Sequence, residues 1–298
     1  MNTAPATEAV IDVATLLQQL AGPRPPRLID ARCPPVVAGA ERDAGRQAWA
    51  AGHLPGAVHV DLETDLSAPV QPVGDAGRHP LPDPQRFARQ LGQWGIGPDT
   101  PVVVYDANDG SMAAARLWWL LRLYGHRAVA VLDGGVAAWQ AAGQTLTTAP
   151  PPVLSLPPYP GTPDMGQVVD VAEVAARVAA GQAGWLLDAR APARFAGHNE
   201  PVDPVAGHVP GALNLPYASL VAAGRLQRPA QVRARVAALG LQGAPSDWVL
   251  MCGSGVTACH LQLALDHAGL TGTRVYAGSW SGWIADSVRP VATDAPVA

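Results

Sequence analysis

Six consecutive residues concentrate the chemistry of this chain: Cys252-Gly-Ser-Gly-Val-Thr257. They follow Trp248-Val-Leu-Met251, an apolar run of strand type, and they precede a helical pattern that starts at Thr257. A thiol at that junction sits at a strand's carboxyl end, on a loop that Gly253 and Gly255 allow to fold back on itself. Backbone N–H groups of the loop and helix start then converge on whatever the sulfur carries and stabilise an anionic sulfur species. This is the setting of a nucleophile that takes up a group and hands it on. Cys33 and Cys259 have no such flanks and read as structural thiols.

Short apolar runs alternate with helical patterns on both sides of the chain's middle. In the first half the pattern predicts strands over 27–30, 102–105 and 128–132, and helices over 10–20, 84–94 and 113–124. Asp83 before Pro84 is a helix start, a capping side chain followed by a residue of fixed φ. In the second half strands are expected over 185–187, 248–251 and 274–276, with helices over 171–180, 229–239 and 257–267. Strands alternating with helices imply an α/β fold of parallel sheets flanked by helices, and in such sheets ligands bind beyond the strands' carboxyl ends.

The two halves repeat one another. Arg27-Leu-Ile-Asp-Ala-Arg32 returns as Trp185-Leu-Leu-Asp-Ala-Arg190, and Ala51-Gly-His-Leu-Pro-Gly-Ala57 returns as Ala206-Gly-His-Val-Pro-Gly-Ala212. Pro101–Asp106 answers to Asp247–Cys252, and Leu132-Asp-Gly-Gly135 with Trp139 answers to Tyr276-Ala-Gly-Ser279 with Trp283. Between the halves, Ala149–Gly161 is dense in proline and reads as a semi-rigid linker. The expected organisation is a first domain over 1–148, a linker over 149–165 and a second domain over 166–298. In the first repeat the position of Cys252 is held by Asp106, which cannot act as a thiol nucleophile, so one catalytic site is expected, in the second half.

Lys plus Arg number 20 against 24 Asp plus Glu, a net charge of -4, which argues against nucleic-acid or anionic-membrane binding because phosphate recognition leaves a basic footprint. No apolar stretch is long enough to span a bilayer, and Met1–Ala9 lacks the basic start and apolar core of a signal peptide. Three cysteines are too few for a disulfide framework. A soluble protein of the reducing cytoplasm is expected.

The two histidine–proline–glycine blocks, the aspartate in the first repeat and the cysteine loop in the second resemble the tandem-domain rhodaneses and 3-mercaptopyruvate sulfurtransferases, from about Val10 to Asp286. The resemblance implies two rhodanese-like domains with the active cleft at their interface. It implies a ping-pong sulfur transfer with a persulfide on Cys252 and no metal or organic cofactor. The loop Cys252–Ala258 is closest to that of the mercaptopyruvate enzymes, since thiosulfate-preferring relatives usually carry Arg and Lys where this chain has Gly253 and Ser254. The family's Ser–His–Asp relay maps to Ser254, His53 and Asp43. Donor binding falls to Gly253, Gly255, Val256 and Thr257 of the loop and to Arg194, the arginine before Phe195. A second family arginine, usually a little later, has no match in Asn199–Pro204, and Gly282 stands where many relatives carry a glutamate.

The expected donor is 3-mercaptopyruvate, with thiosulfate the alternative and a thiol, cyanide or a thioredoxin-like protein as acceptor. A sulfane-sulfur binding module without turnover is the competing non-enzymatic reading. His208 is expected to be structural, as are Asp30, Asp188, Arg32 and Arg190. A cysteine phosphatase would need arginine at position 258, where Ala258 stands. A serine hydrolase elbow would need serine where Trp280 stands. The spacing of Cys252, Cys259 and His260 matches no zinc pattern.

Overall fold

The computed structural model describes residues 8–33, 41, 43–69 and 74–294. The chain divides into two compact units: Met1–Ala68 with Pro82–Asp164 and Ala223–Leu226, and Pro69–Leu81 with Met165–Ala222 and Gln227–Ala298.

Within the described residues, the first unit is a five-stranded parallel sheet in the order β1-β5-β4-β2-β3. Its strands are β1 (Val10–Ile11), β2 (Arg27–Asp30), β3 (Val58–His59), β4 (Val102–Tyr105) and β5 (Val129–Leu132). Helices α1 (Val13–Leu20), α2 (Ala44–Ala51), α3 (Pro84–Gln93), α4 (Ala113–Leu123) and α5 (Gly135–Ala141) flank it. β4 and β5 are buried along their whole length, which is why they read as continuous apolar runs rather than alternating ones, and β2 is equally buried with its Arg27 Nε–H satisfied by Trp94 O at 2.7 Å. The helix expected from Val10 begins later. Val10 and Ile11, a β-branched pair, join β5 opposite Val131 and Leu132, and Asp12 then caps α1 by accepting the N–H of Thr15 at 2.8 Å.

The second unit repeats the plan with β6 (Val168–Val169), β7 (Leu186–Asp188), β8 (Leu213–Asn214), β9 (Val249–Met251) and β10 (Arg274–Tyr276), ordered β6-β10-β9-β7-β8 and parallel throughout. Helices α6 (Val171–Ala179), α7 (Pro192–Phe195), α8 (Pro229–Ala237), α9 (Thr257–His267) and α10 (Ser279–Trp283) accompany it. Trp280, Trp283, Val249 and Met251 are fully buried in its core.

The expected domain boundaries need correction. Residues 149–164 form part of the first unit rather than a separate linker. Leu156 N donates to Gly92 O at 2.9 Å and Tyr159 N to Ala88 O at 2.9 Å, so the proline-rich segment is hydrogen-bonded to α3. Residues 69–81 belong to the second unit and 223–226 to the first.

The duplicated sequence blocks make duplicate contacts. Arg32 forks onto Asp30 and donates Nη2–H to Gly52 O at 2.7 Å; Arg190 does the same with Asp188 and Gly207 O, also at 2.7 Å. Each pair ties the end of a strand to the residue before the histidine–proline–glycine block.

Candidate active site

Cys252 follows β9 and is 2% exposed. The N–H of Gly255 points at its sulfur, 3.1 Å away. Gly255 has a φ of +79°, and a Cβ there would lie 2.3 Å from Ala277 O, so only glycine closes the loop this way. The loop's outer edge is fixed to the turn before α10. Trp280 N donates to Cys252 O and Ser281 N to Gly253 O, both at 2.9 Å, while Ser279 Oγ accepts the N–H of Cys252 at 3.1 Å and donates to Tyr276 O at 3.0 Å. Cys259, one turn into α9, donates its thiol to Gly255 O at 3.2 Å and supports the loop from below. Val256 is buried and Thr257 half-buried at the start of α9. Cys252 thus sits in a rigid backbone cradle.

The segment 74–81 lies against the α10 turn at backbone-to-backbone distance. A Cβ at Gly278 or Gly282 would stand 2.2 or 2.3 Å from Asp75 O, and one at Gly77 would stand 2.3 Å from Gly278 O. Three glycines therefore make the approach possible, and two polar contacts lock it: Arg78 N to Ser281 Oγ at 3.0 Å, and Arg289 Nη2 to Asp75 Oδ1 at 2.6 Å. The next residues then reach the cysteine loop. His79 Nδ1 is 2.7 Å from Ser254 Oγ, with both side chains buried. Arg78 Nη2 comes within 3.3 Å of the point where a Cβ would stand on Gly253, and Arg194 Nη2 and Nη1 within 3.5 and 3.6 Å.

Two buried carboxylates hold these arginines. Glu200 accepts from Arg194 Nε at 2.9 Å and Nη2 at 2.7 Å, and from Arg190 Nη1 at 3.4 Å. Asp203 accepts from Arg194 Nη2 at 3.0 Å and pairs through its other oxygen with Arg78 Nη1. Burial pushes the Asp203 carboxyl up from its ordinary range despite Arg78 and Arg194 beside it. At Glu200, burial acts in the same direction, but the hydrogen bonds from Arg194 and from the N–H groups of Asp203 and Val202 outweigh it and hold the carboxyl down.

Of the residues read from the sequence, Cys252, Gly253, Ser254, Gly255, Val256, Thr257 and Arg194 come together in the second unit. His53 and Asp43 belong to the first unit. His53 has Nδ1 2.9 Å from Trp49 O and Nε2 3.1 Å from Ala149 O, and its ring stacks on Trp49 at 4.6 Å. Asp43 is exposed at the start of α2 and makes no capping bond with its side chain. The partner of Ser254 is His79. The physical reason lies in the duplication. His208 stacks on Phe195 at 3.8 Å with Nδ1 2.8 Å from Phe195 O, so this histidine does one structural job in each unit. His79 lies in Arg78-His79-Pro80-Leu81-Pro82, which the second half does not repeat, and that was the signal available for it.

The equivalent loop of the first unit is closed. Asp106 Oδ1 accepts the N–H groups of Asn108 at 2.9 Å and Gly110 at 3.0 Å, and burial pushes its carboxyl up to about 6. Cys33 in that unit is also desolvated, which pushes its thiol up to about 11, as expected of a structural cysteine. Trp280 is core, its Nε1–H on Val205 O at 2.9 Å. Among the described residues no group of three or more histidine, cysteine or acidic side chains is arranged to hold a metal, and no helix is long and apolar enough to cross a membrane.

The rhodanese-like domain model matches residues 12–142 and 170–286. A Pseudomonas aeruginosa protein named "Probable 3-mercaptopyruvate sulfurtransferase" is 50% identical, over 84% of this chain and 87% of its own. The thiosulfate sulfurtransferase of Bos taurus is 32% identical, over 80% of this chain and 79% of its own. The structure of 3-mercaptopyruvate sulfurtransferase from Leishmania major, 30% identical, superposes with a TM-score of 0.78 over 94% of this chain and 75% of that one. With two matched segments, two copies of one parallel sheet and a single cysteine loop, the chain belongs to the rhodanese-like family and is one of its sulfurtransferases.

Proposed function

We propose that the chain moves sulfane sulfur from 3-mercaptopyruvate to a thiophilic acceptor through a persulfide on Cys252. The Cys252 thiolate attacks the donor's sulfur and forms an S–S bond. The donor's C–S bond breaks, its electron pair goes to carbon, and the resulting enolate of pyruvate takes a proton. The persulfide then passes its outer sulfur to a thiol, cyanide or a thioredoxin-like acceptor and regenerates the thiolate. The observation that carries the choice of donor is the 2.7 Å contact between Ser254 and His79 in the wall of the cysteine loop. A proton relay there serves the enolate and has no task when thiosulfate loses sulfite. In this reading His79 takes the relay place that sequence gave to His53, and Arg194 faces the donor's carboxylate.

Thiosulfate remains the second reading, because Arg78 and Arg194 bring cationic nitrogens close to Gly253 where the loop itself supplies none. Their pairing with Asp203 and Glu200 offsets most of that charge and favours the monoanionic keto acid. The three free cysteines support a cytoplasmic location. The deciding experiment is kcat/KM for 3-mercaptopyruvate and thiosulfate with one common acceptor and Cys252→Ser as the blank. A mercaptopyruvate preference supports the reading. A thiosulfate preference overturns the donor and keeps the persulfide, and sulfur loading without turnover of either donor makes the chain a binding module.

A further inference from the structure

We propose that Arg78 is the second donor-carboxylate residue of this site and that Asp203 is the positioning residue that recruits it, an inference that rests on the keto-acid donor proposed above. The stretch Asn199–Pro204 lacks the arginine expected there and carries Asp203 instead. The side chain of Asp203 is 4% exposed, and its two oxygens are divided between two arginines far apart in sequence, Oδ1 on Arg78 and Oδ2 on Arg194. A carboxylate in that position cannot bind a donor carboxylate, but it can fix the separation of two guanidinium groups that do.

Which nitrogens remain for a ligand follows from the hydrogen bonds. Arg194 commits Nε and Nη2 to Glu200, and Nη2 also to Asp203, which leaves Nη1. Arg78 commits Nη1 to Asp203, and of its other nitrogens Nη2 is the one beside Gly253. Arg194 Nη1 and Arg78 Nη2 lie 3.6 and 3.3 Å from the absent Cβ of Gly253, the residue next to the cysteine. Each arginine brings a terminal nitrogen to a shared point, which suits the two oxygens of one carboxylate. The side chains of Arg78 and Arg194 are 31% and 19% exposed, so a small anion can reach them, and Gly253 leaves open the space that a methyl group would occupy.

The test compares wild type, Arg78→Ala, Asp203→Asn and the double variant. KM for 3-mercaptopyruvate is expected to rise about tenfold or more in Arg78→Ala while kcat changes little, as for loss of one hydrogen bond to a charged group. Asp203→Asn should raise KM in the same direction, and the double variant should fall short of the product of the two single effects, since both changes remove the Asp203–Arg78 contact while Asp203→Asn also loosens Arg194. Competitive inhibition by pyruvate should weaken in Arg78→Ala while inhibition by the neutral pyruvamide stays as it was, a contrast that general loosening of the loop does not produce. An unchanged KM in Arg78→Ala, a lower KM in Asp203→Asn, or multiplicative effects in the double variant would each overturn the proposal. Calorimetric binding of pyruvate to Cys252→Ser, with and without Arg78→Ala, reads the clamp without turnover. If wild type fails to turn over 3-mercaptopyruvate yet pyruvate binding depends on Arg78, the donor reading falls and the clamp stands; equal pyruvate binding with and without Arg78 removes the clamp.

Discussion

His79 Nδ1 meets Ser254 Oγ at 2.7 Å, joining a segment before α3 to the loop after β9. The contact is buried and short, and it is made by a histidine that has no counterpart in the other repeat. His79→Ala is expected to lower kcat for 3-mercaptopyruvate by about 10²–10⁴-fold, the usual range for a positioned acid–base group. Ser254→Ala should impair 3-mercaptopyruvate turnover more than thiosulfate turnover. Equal losses on the two donors in steady-state assays would count against a relay.

His53 calls for the opposite outcome. Its ring is stacked on Trp49 and held between two backbone carbonyls, so His53→Ala should destabilise the fold by about 1–3 kcal/mol with kcat near that of wild type. His208→Ala should behave alike, because it removes the equivalent stack on Phe195 and a backbone carbonyl contact of the same kind. Urea titration beside kinetics at a temperature well below the transition separates the two effects.

Sulfur loading should be confined to one thiol. After exposure to donor, intact-mass measurement is expected to find one added sulfur atom per chain in wild type and in Cys33→Ser, and none in Cys252→Ser. Loading that survives Cys252→Ser would sink the mechanism.

At Gly282 a side chain has no room. The Cβ of any side chain there lands 2.3 Å from Asp75 O, and a second glycine, Gly278, meets the same oxygen. Gly282→Glu should therefore displace the segment that carries Arg78 and His79. The expected cost is about 1–3 kcal/mol of stability from overpacking, with a loss of turnover resembling His79→Ala. Thermal melts together with kinetics check both.

Asp106 predicts a pH dependence. Its carboxyl is raised from 3.8 to about 6 by burial, so the folded chain holds this proton more tightly than the unfolded chain does. The contribution to stability is present below the unfolded value and is lost as pH rises through the folded one. Asp106→Asn removes the titration while keeping an acceptor oxygen for Asn108 and Gly110. Relative to wild type, the variant's Tm should increase between pH 4 and pH 7, and a constant difference in melts across that range would refute the assignment.

Sequence made the repeated architecture readable because buried parallel strands are continuous apolar runs, and because the two halves print the same blocks twice. Cys252, Ser254 and Arg194, which the second unit brings close together, stand out in the sequence for the same reason, since each lies in or beside a recognisable block. Short edge strands do not. Val58–His59 and Leu213–Asn214 are two-residue elements defined by their neighbours rather than by their own pattern. His53 is one of a duplicated pair, and both copies are held by a ring stack and a backbone carbonyl within their own unit, a packing that the block's sequence does not display. His79 and Arg78 escaped because their place depends on three glycines and two carbonyls brought together from segments about two hundred positions apart, information that no local periodicity carries.

The exchange of residues 69–81 into the second unit has a genetic consequence. A gene cut at the proline-rich stretch would give a downstream fragment with the complete cysteine loop, Arg194 and Asp203, but without the histidine and arginine that approach them. The upstream fragment would carry those two residues with no α10 turn to lie against. On the proposed mechanism, then, neither fragment would hold a complete site, and the place to divide this chain is not the proline-rich stretch between its repeats.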